Sequence, residues 1–432
     1  MAKKAWADLT AISGHLAFTS KKVSVFYQLP ETRYDYVDDD QKLAYLEDFC
    51  ALMSGVSNLS EGQDTEIGLW LMKTPIDTRK WSNGFVDAVR EMNKGSLPAK
   101  FRAGNRENFE HVMRANYSRA SCYIEIELGT RSSMRRSSVS DNPLTQAASV
   151  ASDLIDQKIL ASRDQEVGLE EVNAWRDFAH RYDILMEQYG ARIATGGEIA
   201  SIYRRAFYPA QSIPKLPAYD RWGRGDILYL SEGSIDKKRG YLKISHPESE
   251  GLTATLAFQK FPSDMVYPSS VPWIIAALYL DDNVGKYSFW GRFTLVSARK
   301  VKKDLAGAIK VAKDEQRDAE NAGLEPISVT EKLDLAEELE AFMARSNDPW
   351  AYGEYFLTVT GRDKKELDEN ILKIIQDYRG RDIIVSYPTG LQFPLFLSSL
   401  PGGGRVNKRW MQRQPITTIA GGAPTVNSTV GD

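Results

Sequence analysis

The stretch "AYGEYFLTVTGRDKKELDENILKIIQDYRGRDIIVSYPTGLQ", Ala351 to Gln392, decides the fold class. Tyr355 to Thr360 is a run of aromatic and β-branched residues, the composition of a strand. Asp363 stands where a helix N-cap belongs, and Glu366 follows three residues on, the spacing of a capping box. Leu367, Ile371, Ile374, Ile375 and Tyr378 then recur at i, i+4, i+7, i+8 and i+11, which lines one helix face. Gly380 closes that helix, and Asp382 to Tyr387 reads as the next strand. Strand, helix and strand packed on one sheet face make a β-α-β unit. The expectation is an α+β protein with mixed sheets built on βαβ (ferredoxin-like) units.

The same alternation runs through the N-terminal part. "KKVSVFYQLP" reads as a strand ended by Pro30. In "VDDDQKLAYLEDFCALMSGV", Leu43, Leu46, Phe49, Cys50 and Met53 share a helix face, with Asp39 or Asp40 as cap and Gly55 as stop. "TEIGLWLMKTPID" and "ASCYIEIELGT" read as strands, and "TRKWSNGFVDAVREMN" between them as a helix. The Ser/Arg-rich stretch Arg131 to Thr145 has no apolar period and reads as a loop. Residues 146–207 read as mostly helical. Val172, Trp175, Phe178, Ala179, Tyr182, Leu185 and Met186 form one stripe there, with Gly190 past its end. A shorter helix follows and stops at Pro209.

The proline-rich "PAQSIPKLPAYDRWGRGD" marks the expected domain boundary near residue 212. Two lobes follow from it. Residues 1–212 form an α/β lobe with the helical segment 146–207. Residues 213–404 form a second α/β lobe with a helical hairpin at 301–346 and the βαβ unit at 355–390. "DILYLSEGSI", "GYLKISH", "LTATLAFQKFP" and "KYSFWGRFTLVSA" read as strands of that second lobe. Residues 405–432 read as an extended C-terminal tail. With Pro415, Gly421, Gly422, Pro424 and Gly431 and no sustained period, the tail is expected to stay poorly packed until a following domain orders it; the alternative is that it wraps its own domain, with Trp410 and Ile416 in a groove.

"FPLFLSSLPGGGRVNKRW", Phe393 to Trp410, invites a phosphate-loop reading. Such a loop needs Gly, four residues, then Gly-Lys-Ser/Thr, so that backbone N–H groups wrap the phosphates and a hydroxyl holds Mg²⁺. Here Lys408 follows Asn407 and precedes Arg409. Gly285-Lys286 fails as well, because Tyr287 follows. The glycine turn therefore reads as the end of a strand.

Composition narrows the function classes. The chain has 432 residues and a net charge of −3, which gives no global pull toward nucleic acid or an anionic membrane. Its two cysteines, Cys50 and Cys122, exclude a disulfide framework. His15, His111, His180 and His246 are scattered without metal-ligand spacing. Asp38-Asp39-Asp40 and Asp281-Asp282 have the chemistry for metal binding or acid–base work, but sit where caps and turns favour Asp anyway. No catalytic, cofactor or metal residue stands out. "MAKKAWADLT" has no apolar signal core, and the apolar run "VPWIIAALYL" is far too short for a spanning helix. A cytoplasmic location is expected, with peripheral association at the inner face of the cell membrane open through a partner.

Several stretches together resemble the N-terminal domain of conjugation and type IV secretion ATPases, the VirB/TraC-type traffic ATPases. They are "GDILYLSEGSI…GYLKI", "TATLAFQKFPSDMVYPSSVPWI", "FTLVSARKVKKDLAGAIKVAKDE", "YFLTVTGRDKKELDENILKII" and "LFLSSLPGGG…RWMQRQPITTIAGGAP…GD", in that order. The resemblance spans roughly residues 20–432. It implies that Leu400-Pro401-Gly402 ends the N-terminal domain and that Thr417-Thr418 and Gly431-Asp432 lead toward a motor domain. The motor's Walker motifs are absent from this sequence, so ATP and Mg would need that missing domain, and no cofactor is expected here. The implied role is docking on secretion-complex membrane proteins and organising self-association with the motor, with little or no nucleic-acid contact. Leu400, Pro401, Gly402, Gly403, Gly404, Arg405, Lys408, Arg409 and Arg413 are the candidate interaction and hinge residues. The alternative is a nucleic-acid-binding accessory protein of a mobile element, using Arg131, Arg135, Arg136 and the tail cations.

Overall fold

The computed structural model describes residues 8–32, 37–60, 63–75, 118–131, 167–207, 219–231, 233–246, 249–262, 272–280, 286–321, 333, 336, 339–340, 343, 348–406, 409–422 and 424. Within them the chain is α+β, built on one large open sheet. The N-terminal strands are β1 (Leu9–Ser13), β2 (Leu16–Thr19), β3 (Lys22–Gln28), β4 (Thr65–Pro75), β5 (Ser118–Thr130) and β6 (Arg192–Ile193). The later ones are β7 (Arg221–Trp222), β8 (Ser234–Lys237), β9 (Leu242–His246), β10 (Ser249–Lys260) and β11 (Tyr287–Val296). β12 (Trp350–Gly361), β13 (Ile384–Ser386) and β14 (Gln412–Pro415) complete the set. Their order is β7-β1-β2-β3-β5-β4-β11-β12-β10-β9-β8, with β6 beside β3, β13 beside β10 and β14 beside β12. Strands from both sides of residue 212 share this sheet, and β4 pairs directly with β11. The ladders between described strands are antiparallel.

The stretch 351–392 forms the expected unit in a split version. β12 leads into a helix at Lys364–Arg379 and then into β13. β10 lies between β12 and β13 and is antiparallel to both, so those two strands run parallel across it. Asp363 caps the helix by accepting from the Glu366 N–H at 2.9 Å. The Glu366 carboxylate turns back to the Arg362 N–H rather than to the cap residue.

Helices cover both faces of the sheet. The first face carries α1 (Asp39–Leu59), α2 (Leu169–Gln188), α5 (Ala276–Tyr279), α7 (Lys364–Arg379) and α9 (Ile416–Ala420), packed around Phe18, Leu69, Phe289, Tyr355 and Trp273. The second carries α3 (Gly196–Arg205), α4 (Arg224–Leu230) and α8 (Gln392–Ser399), packed around Phe26, Trp70, Trp290 and Phe356. Because the central strands are buried on both faces, side chains of either parity are apolar. Ile67, Leu69 and Leu71 of β4 enter one core, while Trp70 and Met72 enter the other. α6 (Ala298–Asn321) packs Val301 against Val296, Met343 and Trp350 in a smaller cluster.

Four local expectations are corrected. The N-cap of α1 is Asp38, and the helix runs through Gly55 to Leu59. Gly55 is a contact point between helices, where a Cβ would come within 2.8 Å of Leu185. "DILYLSEGSI" forms the helix α4 and then β8, because the Asp226 carboxylate accepts from the Gly223 N–H and Ile227 and Leu230 bury one helical face. "FPLFLSS" belongs to helix α8, so the glycine turn ends a helix. The described part of the segment after Gly404, as far as Gly422, is packed rather than loose: β14 fills the β12 edge beyond β10, and α9 packs on α1, while 425–432 lie outside the described residues. Trp410, Ile416 and Ile419 are buried, which supplies the apolar area that its Gly/Pro content hides. The helix expected at 78–93, the loop at 132–145, Pro209 and Asp281-Asp282 lie outside the described residues.

One side chain completes the sheet. β9 pairs with β10 up to Thr253, and β13 joins the same edge from Ala257. At Thr255, between them, the Gln392 amide takes the place of a strand. Its Oε1 accepts from the Thr255 N–H at 2.7 Å, and its Nε2 donates to the Thr255 carbonyl at 3.0 Å. Gln392 is buried, so removing it leaves both backbone groups without partner or water. Gln392→Ala is expected to lower the unfolding free energy by about 2–4 kcal/mol in urea titration. A loss of a few tenths would show that the amide is not a ladder partner.

Candidate interaction site under the C-terminal strap

Three strands, β5, β11 and β12, each place one buried charged residue in the same row of the sheet. In register, Glu125 of β5 faces Gly68 of β4, Gly68 faces Arg292 of β11, and Arg292 faces Glu354 of β12. All three charged side chains are buried on the second face. Gly68 makes the row possible. A Cβ there would meet the Trp70 ring at 2.5 Å and the Glu125 carboxylate at 2.9 Å. With only hydrogen at that position, Arg292 reaches across β4 and bonds Glu125 at 3.2 Å.

The rest of the Arg292 guanidinium holds the end of α8. Its Nε donates to the Ser398 carbonyl at 2.9 Å, and its Nη2 to the Leu400 carbonyl at 2.7 Å. Trp70 Nε1 donates to the intervening Ser399 carbonyl at 2.8 Å. These are carbonyls that a helix C-terminus leaves unpaired, and a cation suits that end of the helix dipole. Each of the three guanidinium nitrogens thus donates to one acceptor, a carboxylate or a carbonyl. Removing one member of such a set costs about 3–5 kcal/mol.

The candidate residues from Leu400 to Arg405 form a strap above this row. Leu400 and Pro401 are buried. The Gly403 N–H donates to the Leu400 carbonyl at 2.8 Å, closing the turn. Gly402 has φ 72°, and a Cβ on it would strike Thr19 at 2.5 Å, so both backbone and space require glycine. Gly404 is exposed. Arg405 returns to the sheet, donating to Glu66 at 2.9 Å and to Thr294 Oγ1 at 2.6 Å. Arg413 lies over the Tyr352 ring, 5.3 Å from its centroid. Arg409 is exposed and already engaged within the chain, and Lys408 lies outside the described residues.

Glu354 is the unsatisfied member. It is 1% exposed, and neither carboxylate oxygen completes a hydrogen bond. Burial pushes its carboxyl up to about 7; the Glu66 charge adds to this, while Arg405 and the nearby Val406 N–H oppose it. Arg292 bonds Glu125 and Arg405 bonds Glu66, so Glu354 has no bonded cation to offset its burial.

A second polar cluster ties α2 to the first strands. Asp183 Oδ1 bonds His15 Nε2 at 3.0 Å and accepts from the Tyr27 hydroxyl at 2.8 Å. Burial acts to raise the Asp183 carboxyl, but the bonds from His15 and Tyr27 outweigh it and hold it below its usual value. His15 is thus a structural residue, and His180 is mostly exposed. Among the described residues no group of three or more His, Cys, Asp or Glu is placed to hold a metal. Cys50 and Cys122 are buried free thiols. A cavity of about 60 Å³ on the second face is floored by Thr253, Thr255, Ser288, Thr358 and Thr360. It has room for a few waters, well below the volume of a drug-sized ligand site.

Sequence reasoning found the strap and missed its floor. The missed signal was present: "YIEIEL", "FWGRF" and "YGEYF" each place a charge inside an apolar strand run. No protein-family model matches the chain, and no curated protein matches it. No helix among the described residues is long and apolar enough to cross a membrane.

Glu354 gives a pH test. A carboxyl raised in the folded state contributes its full stability below its unfolded pKa of about 4.5 and loses it as pH rises through about 7. The total change is on the order of 3 kcal/mol. Glu354→Gln cannot ionise, so the difference in unfolding free energy between the two proteins should shift by that amount between pH 4.5 and 8. Parallel curves would show that Glu354 has an ordinary pKa.

Proposed function

We propose that this chain is the N-terminal assembly and docking domain of a type IV secretion ATPase, acting in conjugative DNA transfer and not itself catalytic. The observation that carries the reading is the anchored path from Leu400 to Gly422. In the resemblance, this segment leads from the domain toward the motor. Here Arg292 and Trp70 hold its start, β14 joins its middle to β12, and α9 seats its end on α1. The Trp273 indole donates to the Thr418 carbonyl at 2.8 Å, which fixes the Thr-Thr step itself. A segment held twice by the sheet and once by α1 would pass movement of a following domain into the body that docks. ATP and Mg would belong to that following domain, and secretion-complex membrane proteins would be the docking partners at the inner face of the cell membrane.

The nucleic-acid reading built on the Ser/Arg loop and tail loses two of its cations to internal pairs. Arg131 binds Glu171 through Nε and Nη2 at 2.6 and 2.7 Å, and Arg405 binds Glu66.

The test is reconstitution of the purified chain with the detergent-solubilised inner-membrane proteins of a conjugation complex. Co-elution of identified secretion-complex subunits with the chain is expected, together with an unchanged melting temperature in millimolar ATP. A folded chain that retains none of those subunits would overturn the reading. Stabilisation by ATP, which requires binding to the native state, would assign nucleotide chemistry to this chain instead.

A further inference from the structure

Two buried groups of opposite charge lie near one another under the strap, each with hydrogen-bonding capacity unspent. Both Glu354 oxygens and the Arg405 Nε are without a hydrogen-bond partner among the described residues. Arg405 is near enough for its charge to act on the Glu354 carboxyl. The Nε–Nη2 edge of a guanidinium and a carboxylate match as a two-bond fork. In the structure that edge is half used: Nη2 donates to Glu66 and to Thr294 Oγ1, and Nε donates to no described group.

The other charges around Glu354 are committed elsewhere. Arg292 of β11 faces it in register, but its three guanidinium nitrogens donate to Glu125, Ser398 and Leu400. Arg413 of β14 lies over the ring of Tyr352, the preceding residue on this face of β12. The ladder of β10 with β12 ends at Ala257 and Phe356, so β10 sets no charged residue in register with Glu354. Of the acids, Glu125 of β5 holds Arg292, and Glu66 of β4 holds Arg405 and opposes a second negative charge at Glu354.

Arg405 can leave its present partners without stranding them. Glu66 keeps the Thr294 hydroxyl, which donates to it at 2.6 Å, and its side chain is 36% exposed, so water can replace the guanidinium there. Glu354 is 1% exposed and has no such recourse. Gly404 gives the strap room to shift, since nothing lies within 4 Å of the place its Cβ would take. With a proton on Glu354 the carboxyl is neutral, and the pairing seen here is favoured. Ionised in place, it would be a buried charge without a bonded cation, which low-dielectric surroundings penalise.

We propose that loss of the Glu354 proton draws Arg405 off Glu66 and Thr294 and onto Glu354, so that the strap has two seats selected by pH. The exchange gives partners to both Glu354 oxygens and to the Arg405 Nε. It recovers a fraction of the stability that ionisation of Glu354 removes. The device is built into the fold and does not rest on the docking role proposed above.

Double-mutant cycles on the full chain test the inference, by urea unfolding at pH 5.5 and pH 8.5 of the parent, R405M, E354Q, E66Q, R405M/E354Q and R405M/E66Q. At pH 5.5 Arg405 should couple to Glu66 and not to Glu354. At pH 8.5 coupling to Glu354 should appear, as a non-additivity of about tenfold in the unfolding constant, and coupling to Glu66 should fall by a similar factor. E66Q alone gives a second readout that leaves Arg405 intact: it should destabilise the chain at pH 5.5 and have little effect at pH 8.5. Hydrogen exchange of residues 402–406, corrected for the intrinsic pH dependence of amide exchange, should show protection that changes between the two pH values in the parent and stays constant in E354Q, which cannot ionise. Additive effects of Arg405 and Glu354 at pH 8.5, coupling of Arg405 to Glu66 that is the same at both pH values, or strap protection that follows pH equally in E354Q would each overturn it.

Discussion

Arg292 is the constraint on which the rest of the second face depends. A guanidinium cannot shed its charge, so at this depth every N–H must find a partner inside the protein. The row across four strands supplies one carboxylate, Glu125, and only because Gly68 leaves the space above β4 open. The remaining donors face away from the sheet and need acceptors there. The last carbonyls of α8 meet that need, which fixes both where α8 ends and the level at which the chain leaves it. The strap is therefore a consequence of a charge placed in the middle of the sheet. An apolar residue at 292 would pack a sheet face equally well but would leave those carbonyls unheld.

The glycines of the strap follow from the same geometry. Pro401 stops α8, Gly402 takes the left-handed conformation against Thr19, and Gly403 passes close to the carbonyls of Leu397 and Ser398. Glycine-rich sequence is commonly equated with mobility. Here glycine serves close approach, and the chain continues into ordered structure on the far side.

Much of the fold was legible because each element carried its own local signal. Asp363, the Leu367 to Tyr378 stripe and Gly380 define α7 without reference to any neighbour, and the structure keeps all of them. The stripe on α2 with Gly190 behaves likewise, Gly190 having φ 72°. The failures share a cause. Leu228 and Tyr229 suit a strand, but an Asp226 cap and two buried positions override that preference. Gly55 resembles a helix stop until Leu185 of α2 is seen against it. The sequence after Gly404 looks too polar and broken to pack, because the partners of Trp410 and Ile416 lie on elements far away in the chain. For the candidate site, the strap was visible as a motif, whereas its floor required knowing that β5, β4, β11 and β12 are neighbours in register. No local pattern encodes that row. The split of the βαβ unit by β10 was hidden for the same reason.

Hydrogen exchange of the segment 399–422 in the parent chain and in Arg292→Met tests the central claim most directly. α7 provides the internal reference for global stability. The account predicts protection of this segment close to that of α7 in the parent, and in the variant a selective loss around 398–406 while α7 stays protected. Exchange of 399–422 at the rate of an unfolded peptide in the parent, or a variant in which the strap is as protected as before, would contradict it.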